Sequence, residues 1–195
     1  NLVDYYTSSN QASKAMEFAD RMLSTDANNK LYLYVKAYLY HNMKEYDKAI
    51  EFYKKAIAAD PEYAEAYSNV GLVYLMKAQD YADKATTDIN DPKYAEAQAT
   101  VKKFYEEAKP FYEKARALKP DQKDLWLQGL YRVYYNLNMG PEFEEIDKMM
   151  KEYISLMKKK KVTQKLPSFF MLFKNMSSLK NSKREQSLFI VPFFY

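Results

Sequence analysis

The apolar residues of this chain return at three- and four-residue steps, with charged residues between them. In EFEEIDKMMKEYISLM the apolar positions are Phe143, Ile146, Met150, Tyr153 and Met157, one face of a helix whose other face is charged. DLWLQGLYRVYYNL sets Leu127, Leu130, Tyr131 and Tyr134 on a similar stripe, and Leu33, Ala37 and Tyr40 do so earlier. The pattern predicts an all-α chain of amphipathic helices.

These helices are also copies of one another. SKAMEFADRMLSTDANN (13–29) matches DKAIEFYKKAIAADPEY (47–63) at Ala15/Ala49, Glu17/Glu51, Phe18/Phe52 and Asp26/Asp60, always 34 residues apart. Tyr6, Tyr40 and Tyr74 keep the same step. FYKKAIAADP (52–61) returns as FYEKARALKP (111–120) after 59 residues, one period of 34 plus a surplus of 25. The surplus lies between Tyr74 and Ala108, inside the third hairpin, and it is helical in pattern on both sides of Asn90-Asp91-Pro92. A cap followed by Pro starts a new helix there. An even split, about 11 and about 12 residues, predicts a spur with two arms of roughly 17 Å each. Pro110 is expected to kink the second arm near the stack.

A 34-residue period of paired helices resembles the tetratricopeptide repeat. In the second unit Ala37, Tyr40, Ala49, Tyr53, Ala56 and Pro61 fall where that motif places small, aromatic, small, aromatic, small and Pro. The third unit opens with Tyr67, Val70, Gly71 and Tyr74 and closes with Ala108, Tyr112, Ala115 and Pro120. Small residues let paired helices approach, and aromatics fill the gaps between repeats. The resemblance implies a right-handed superhelical solenoid with one elongated hairpin over residues 1–157. Its units are 1–29 (partial), 30–63, 64–122 with the insertion, and 123–157. Asn1 begins partway along a first helix and is not Met, so a longer parent protein is expected. Three regular repeats with a spur in the penultimate hairpin also resemble tetratricopeptide proteins of Bacteroidetes-type bacteria. That likeness implies the bacterial cell envelope or periplasm, with cytoplasm the alternative.

Charge changes the picture at the C-terminal end. Residues 158–195 carry nine Lys/Arg against one Glu, leaving 21 Lys/Arg and 25 Asp/Glu in residues 1–157. The body is mildly acidic and the tail strongly basic. The tail holds six of the 11 Phe, with no Ala, Gly or Asp. Three readings stay open for it: contact with an anionic membrane surface or nucleic acid, an extra cap on the last repeat, or a segment without evolved structure such as translation past the normal end. No run approaches the ~20 apolar residues of a membrane-spanning helix, and NLVDYYTSSN lacks the basic start and apolar stretch of a signal peptide.

Composition excludes much chemistry. With no Cys and one His, thiol catalysis, disulfides and Cys-type zinc sites are impossible. With only three Gly, phosphate-cradling glycine loops are largely excluded. His41 is expected to be a helix-surface residue; no HExxH or GxSxG pattern surrounds it. No enzyme, cofactor or metal is expected, apart from the distant case of a fragment whose catalytic domain lies upstream.

A second stripe runs about 100° from the packed one on each first helix. It carries Tyr34, Tyr38 and His41, then Ser68, Leu72 and Leu75, then Gln128, Arg132 and Tyr135, with Asp4 and Thr7 in the first unit. By the resemblance, this stripe lines a concave groove. Tyr, Leu, His and one Arg suit an extended or helical peptide better than a nucleic acid. Packing against neighbouring helices is the competing role for these aromatics. The family's carboxylate clamp uses paired Lys and Asn, but Tyr34 and Ser68 occupy the Lys places, so no such clamp is expected. The function expected is a protein- or peptide-binding scaffold; the alternative is a homo-oligomer assembled through the spur and exposed repeat ends.

Overall fold

The structure, a computed structural model, describes residues 12–159. Among them are seven α-helices and no strand: α1 (Ala12–Thr25), α2 (Lys30–Asn42), α3 (Tyr46–Ala59), α4 (Ala64–Ala82), α5 (Pro92–Leu118), α6 (Leu127–Asn136) and α7 (Gly140–Lys159). A single 3-10 turn, Lys123–Leu125, leads into α6. Each helix packs on the next in sequence, giving three antiparallel hairpins, α2/α3, α4/α5 and α6/α7, with α1 against α2. The basic tail beyond Lys159 and the first-unit positions Asp4 and Thr7 lie outside the described residues. Helix α7 runs two residues into the segment that charge had set apart.

Local chemistry explains the hairpin corners. The Asn29 side chain caps α2, accepting from the backbone N–H of Leu31 at 3.0 Å and of Tyr32 at 3.3 Å. Two hairpins turn through a non-glycine residue in the left-handed region, Lys44 (φ 59°) and Asn138 (φ 53°). At both corners the following N–H reaches back to close the helix end: Glu45 to the Tyr40 carbonyl at 2.9 Å, Met139 to that of Tyr134 at 3.0 Å.

Alanines set the inter-helix distance. Ala37, Ala49, Ala56, Ala108 and Ala115 have no exposed surface, and Tyr53 and Tyr112 fill the gaps beside them. Tyr112 of α5 lies between two of the chain's three glycines, Gly71 of α4 and Gly129 of α6. A Cβ at Gly129 would meet its ring at 2.2 Å, and one at Gly71 at 2.6 Å. The seam between the third and fourth hairpins is therefore a ring clamped between two bare backbones. In the fourth hairpin the predicted stripe is buried at Leu127, Leu130, Tyr131, Tyr134, Ile146 and Met150.

The spur is real but lopsided. Helix α4 has 19 residues and α5 has 27, against 13 and 14 in the preceding hairpin. Most of the extra helix is thus on α5, about 20 Å of it at 1.5 Å per residue. The expected even split fails because α4 stops at Ala82. The connection Asp83–Asp91 uses its own side chains instead: the Thr86 hydroxyl accepts from Asp88 N–H at 3.3 Å, and the Asp88 carboxylate from Asn90 N–H at 2.9 Å. Short polar and β-branched residues that bind local backbone in this way leave the helix. Asp91 then caps α5, accepting from Lys93 N–H at 2.8 Å, with Pro92 in the first turn. Pro110 sits inside α5 without ending it. Ala78 and Ala82 on one arm and Ala97 and Val101 on the other close the spur interface. Its base is tied to α3 by Tyr46 Oη donating to Asp80 at 2.8 Å and by Lys77 pairing with Asp47 at 2.6 Å.

Candidate functional site

The second stripe of the first helices divides into residues that tie hairpins together and residues that present surface. Tyr34 belongs to the ties. Its hydroxyl accepts from the Asn69 side-chain amide at 2.5 Å, and its ring lies 5.3 Å from that of Tyr53 and 5.1 Å from that of Tyr63. Burial, and to a lesser extent the Glu65 carboxylate, push the Tyr34 phenol above its ordinary pKa, while the Asn69 hydrogen bond works the other way. Ser68 is the second tie, its hydroxyl donating to the Leu125 carbonyl at 2.5 Å. Together these bonds fix α2 to α4 and α4 to the turn before α6.

Three predicted positions are interior. His41 is 6% exposed, not on the helix surface as expected, with Nε2 3.0 Å from Met76 Sδ and Nδ1 3.5 Å from Tyr53 Oη. Burial pulls its pKa down to about 4, so the ring is neutral at pH 7. Leu75 is 1% exposed and belongs to the core. Arg132 is 7% exposed and acts electrostatically on the buried phenols of Tyr105 and Tyr112. Met76 of α4 lies against His41, and Arg132 faces Tyr105 and Tyr112 of α5, so for these two a neighbouring hairpin supplies the cover.

What remains presented is Tyr38 and Leu72, both half-buried, and Gln128 and Tyr135, both exposed. The Tyr38 ring stands edge-on to His41 at 6.0 Å. Asn69, which the sequence reading passed over, is the residue that positions Tyr34; a polar residue beside Ser68 on the same face was the available signal.

A second aromatic series was also missed. Tyr40 pairs with Phe52, Tyr74 with Phe111 and Tyr131 with Phe143, at ring distances of 5.6, 6.0 and 5.0 Å, one pair per hairpin. Lysines sit over several of these rings, among them Lys36 at 4.5 Å from Phe52 and Lys54 at 5.4 Å from Phe111. These pairs lock first helix to second helix within each hairpin. Among the described residues no group of three or more His, Cys, Asp or Glu is arranged to hold a metal ion, and no helix is long and apolar enough to cross a membrane.

Tandem antiparallel hairpins with alanine-lined seams define an α-solenoid. The family model described as "TPR repeat" matches residues 37–77, from the middle of α2 to the third-unit helix α4. A solved structure titled "Crystal structure of MamA protein" superposes with a TM-score of 0.51 at 20% identity, covering 85% of this chain and 74% of that one. Another, "Crystal structure of MamA", gives 0.36 at 22% identity over 80% and 98%. No curated protein matches the chain. Residues 37–77 thus match the tetratricopeptide-repeat family model, and the likeness to the first of these solved structures supports the helical solenoid fold.

Proposed function

We propose that the chain is a non-enzymatic scaffold that binds a peptide segment of a partner protein along the stripe formed by α2, α4 and α6. One observation carries this reading. The bonds Asn69–Tyr34 and Ser68–Leu125 hold three first helices in register, so Tyr38, Leu72, Gln128 and Tyr135 form one preset surface. Such a surface binds without first ordering itself, which favours affinity.

The test is capture of partners by the full chain, compared with a Leu72→Lys/Gln128→Ala/Tyr135→Ala variant whose circular dichroism and urea midpoint match the wild type. These three residues present surface, whereas Tyr34, His41 and Arg132 would report on folding. A partner lost with the variant supports the stripe; a partner retained equally by both rejects it. A second reading, self-assembly through the spur, is favoured by the exposure of Ile89 (66%) and Tyr81 (39%) on its distal part. Light scattering after size exclusion tests it: a mass that stays monomeric as concentration rises counts against assembly.

A further inference from the structure

We draw no further inference here: the strongest candidate, the groove of about 460 Å³ between α1 and the α2–α3 corner, lined by Met16, Glu17 and Asp20 against Tyr40, Met43 and Glu45, carries nothing, because Asp20 and Glu45 are already paired with Lys36 and Lys48 and nothing in the structure shows what covers it.

Discussion

Replacing Gly129 by Ala is the sharpest probe of how the stack is held together. The added Cβ would lie 2.2 Å from two ring carbons of Tyr112 and 2.5 Å from a third, where ordinary carbon contacts begin near 3.4 Å. The ring must give way by about 1 Å, yet Gly71 stands behind it with its own Cβ position 2.6 Å from the same ring. Overpacking a core in this way costs about 1–3 kcal/mol, and a ring blocked on both sides belongs at the upper end. Against that, Ala is the better helix former by ~0.8–1.0 kcal/mol. The net expectation is a loss of about 2 kcal/mol. Gly140, the first residue of α7, has nothing within 4 Å of a Cβ; Gly140→Ala should be neutral or stabilising by up to ~1 kcal/mol. Urea denaturation followed by circular dichroism reads both as shifts in midpoint at constant slope. A double-mutant cycle with Tyr112→Ala completes the test. Once the ring is gone, Gly129→Ala should lose its penalty and become mildly stabilising. If Gly129→Ala matches Gly140→Ala, or costs the same with and without the Tyr112 ring, the clamped-ring account fails.

Three further outcomes follow from named contacts. His41 has a folded pKa of about 4 against 6.5 unfolded, so its neutral burial contributes full stability above pH 6.5 and loses it as pH falls through 4. The linked loss totals about 3 kcal/mol, and His41→Leu should flatten the midpoint-versus-pH curve between pH 7 and 4; an unchanged slope would sink this assignment. Lys44 holds φ 59° at a hairpin corner, so Lys44→Gly should raise stability by about 1 kcal/mol, and Asn138→Gly by less; a lower urea midpoint for Lys44→Gly would contradict this. A cycle of Tyr34→Phe with Asn69→Ala should show a coupling of ~0.5–1.5 kcal/mol; additive effects would mean that the 2.5 Å bond holds nothing.

Much of this was legible in the sequence because repeats state the same rule several times. Ala49, Ala56, Ala108 and Ala115 mark where second helices approach first helices, and the period exposed them together. The spur's existence followed from the extra residues, and its turn and cap from Asp91-Pro92. Its partition did not follow, because helical patterning continues past the point where Thr86 and Asp88 find backbone partners. The stripe was legible as a face but not in its division of labour. Whether Leu75 or His41 is presented depends on what the next hairpin lays over it, and for His41 that is Met76, a residue 35 positions away. Scarce glycine spoke only against phosphate-cradling loops. Only the folded chain shows that two of the three glycines face one ring.

The two inner junctions are built from different materials. The third and fourth hairpins share a seam shut by Tyr112 between bare backbones and bridged by Arg116 pairing with Glu145, whereas the second and third meet through a neutral histidine, a thioether and a phenol–amide bond. In a nearest-neighbour solenoid each junction carries its own coupling energy. Acid charges the buried histidine of the joint between the second and third hairpins, so the chain should open there first, with the spur staying on the other block. A segment bound as proposed across α2, α4 and α6 would span both joints and act as a splint on the weaker one. On that proposal, occupancy and mechanical integrity of the stack would be a single linked quantity: whatever loosens the soft joint would release the guest, and a bound guest would protect the joint from acid.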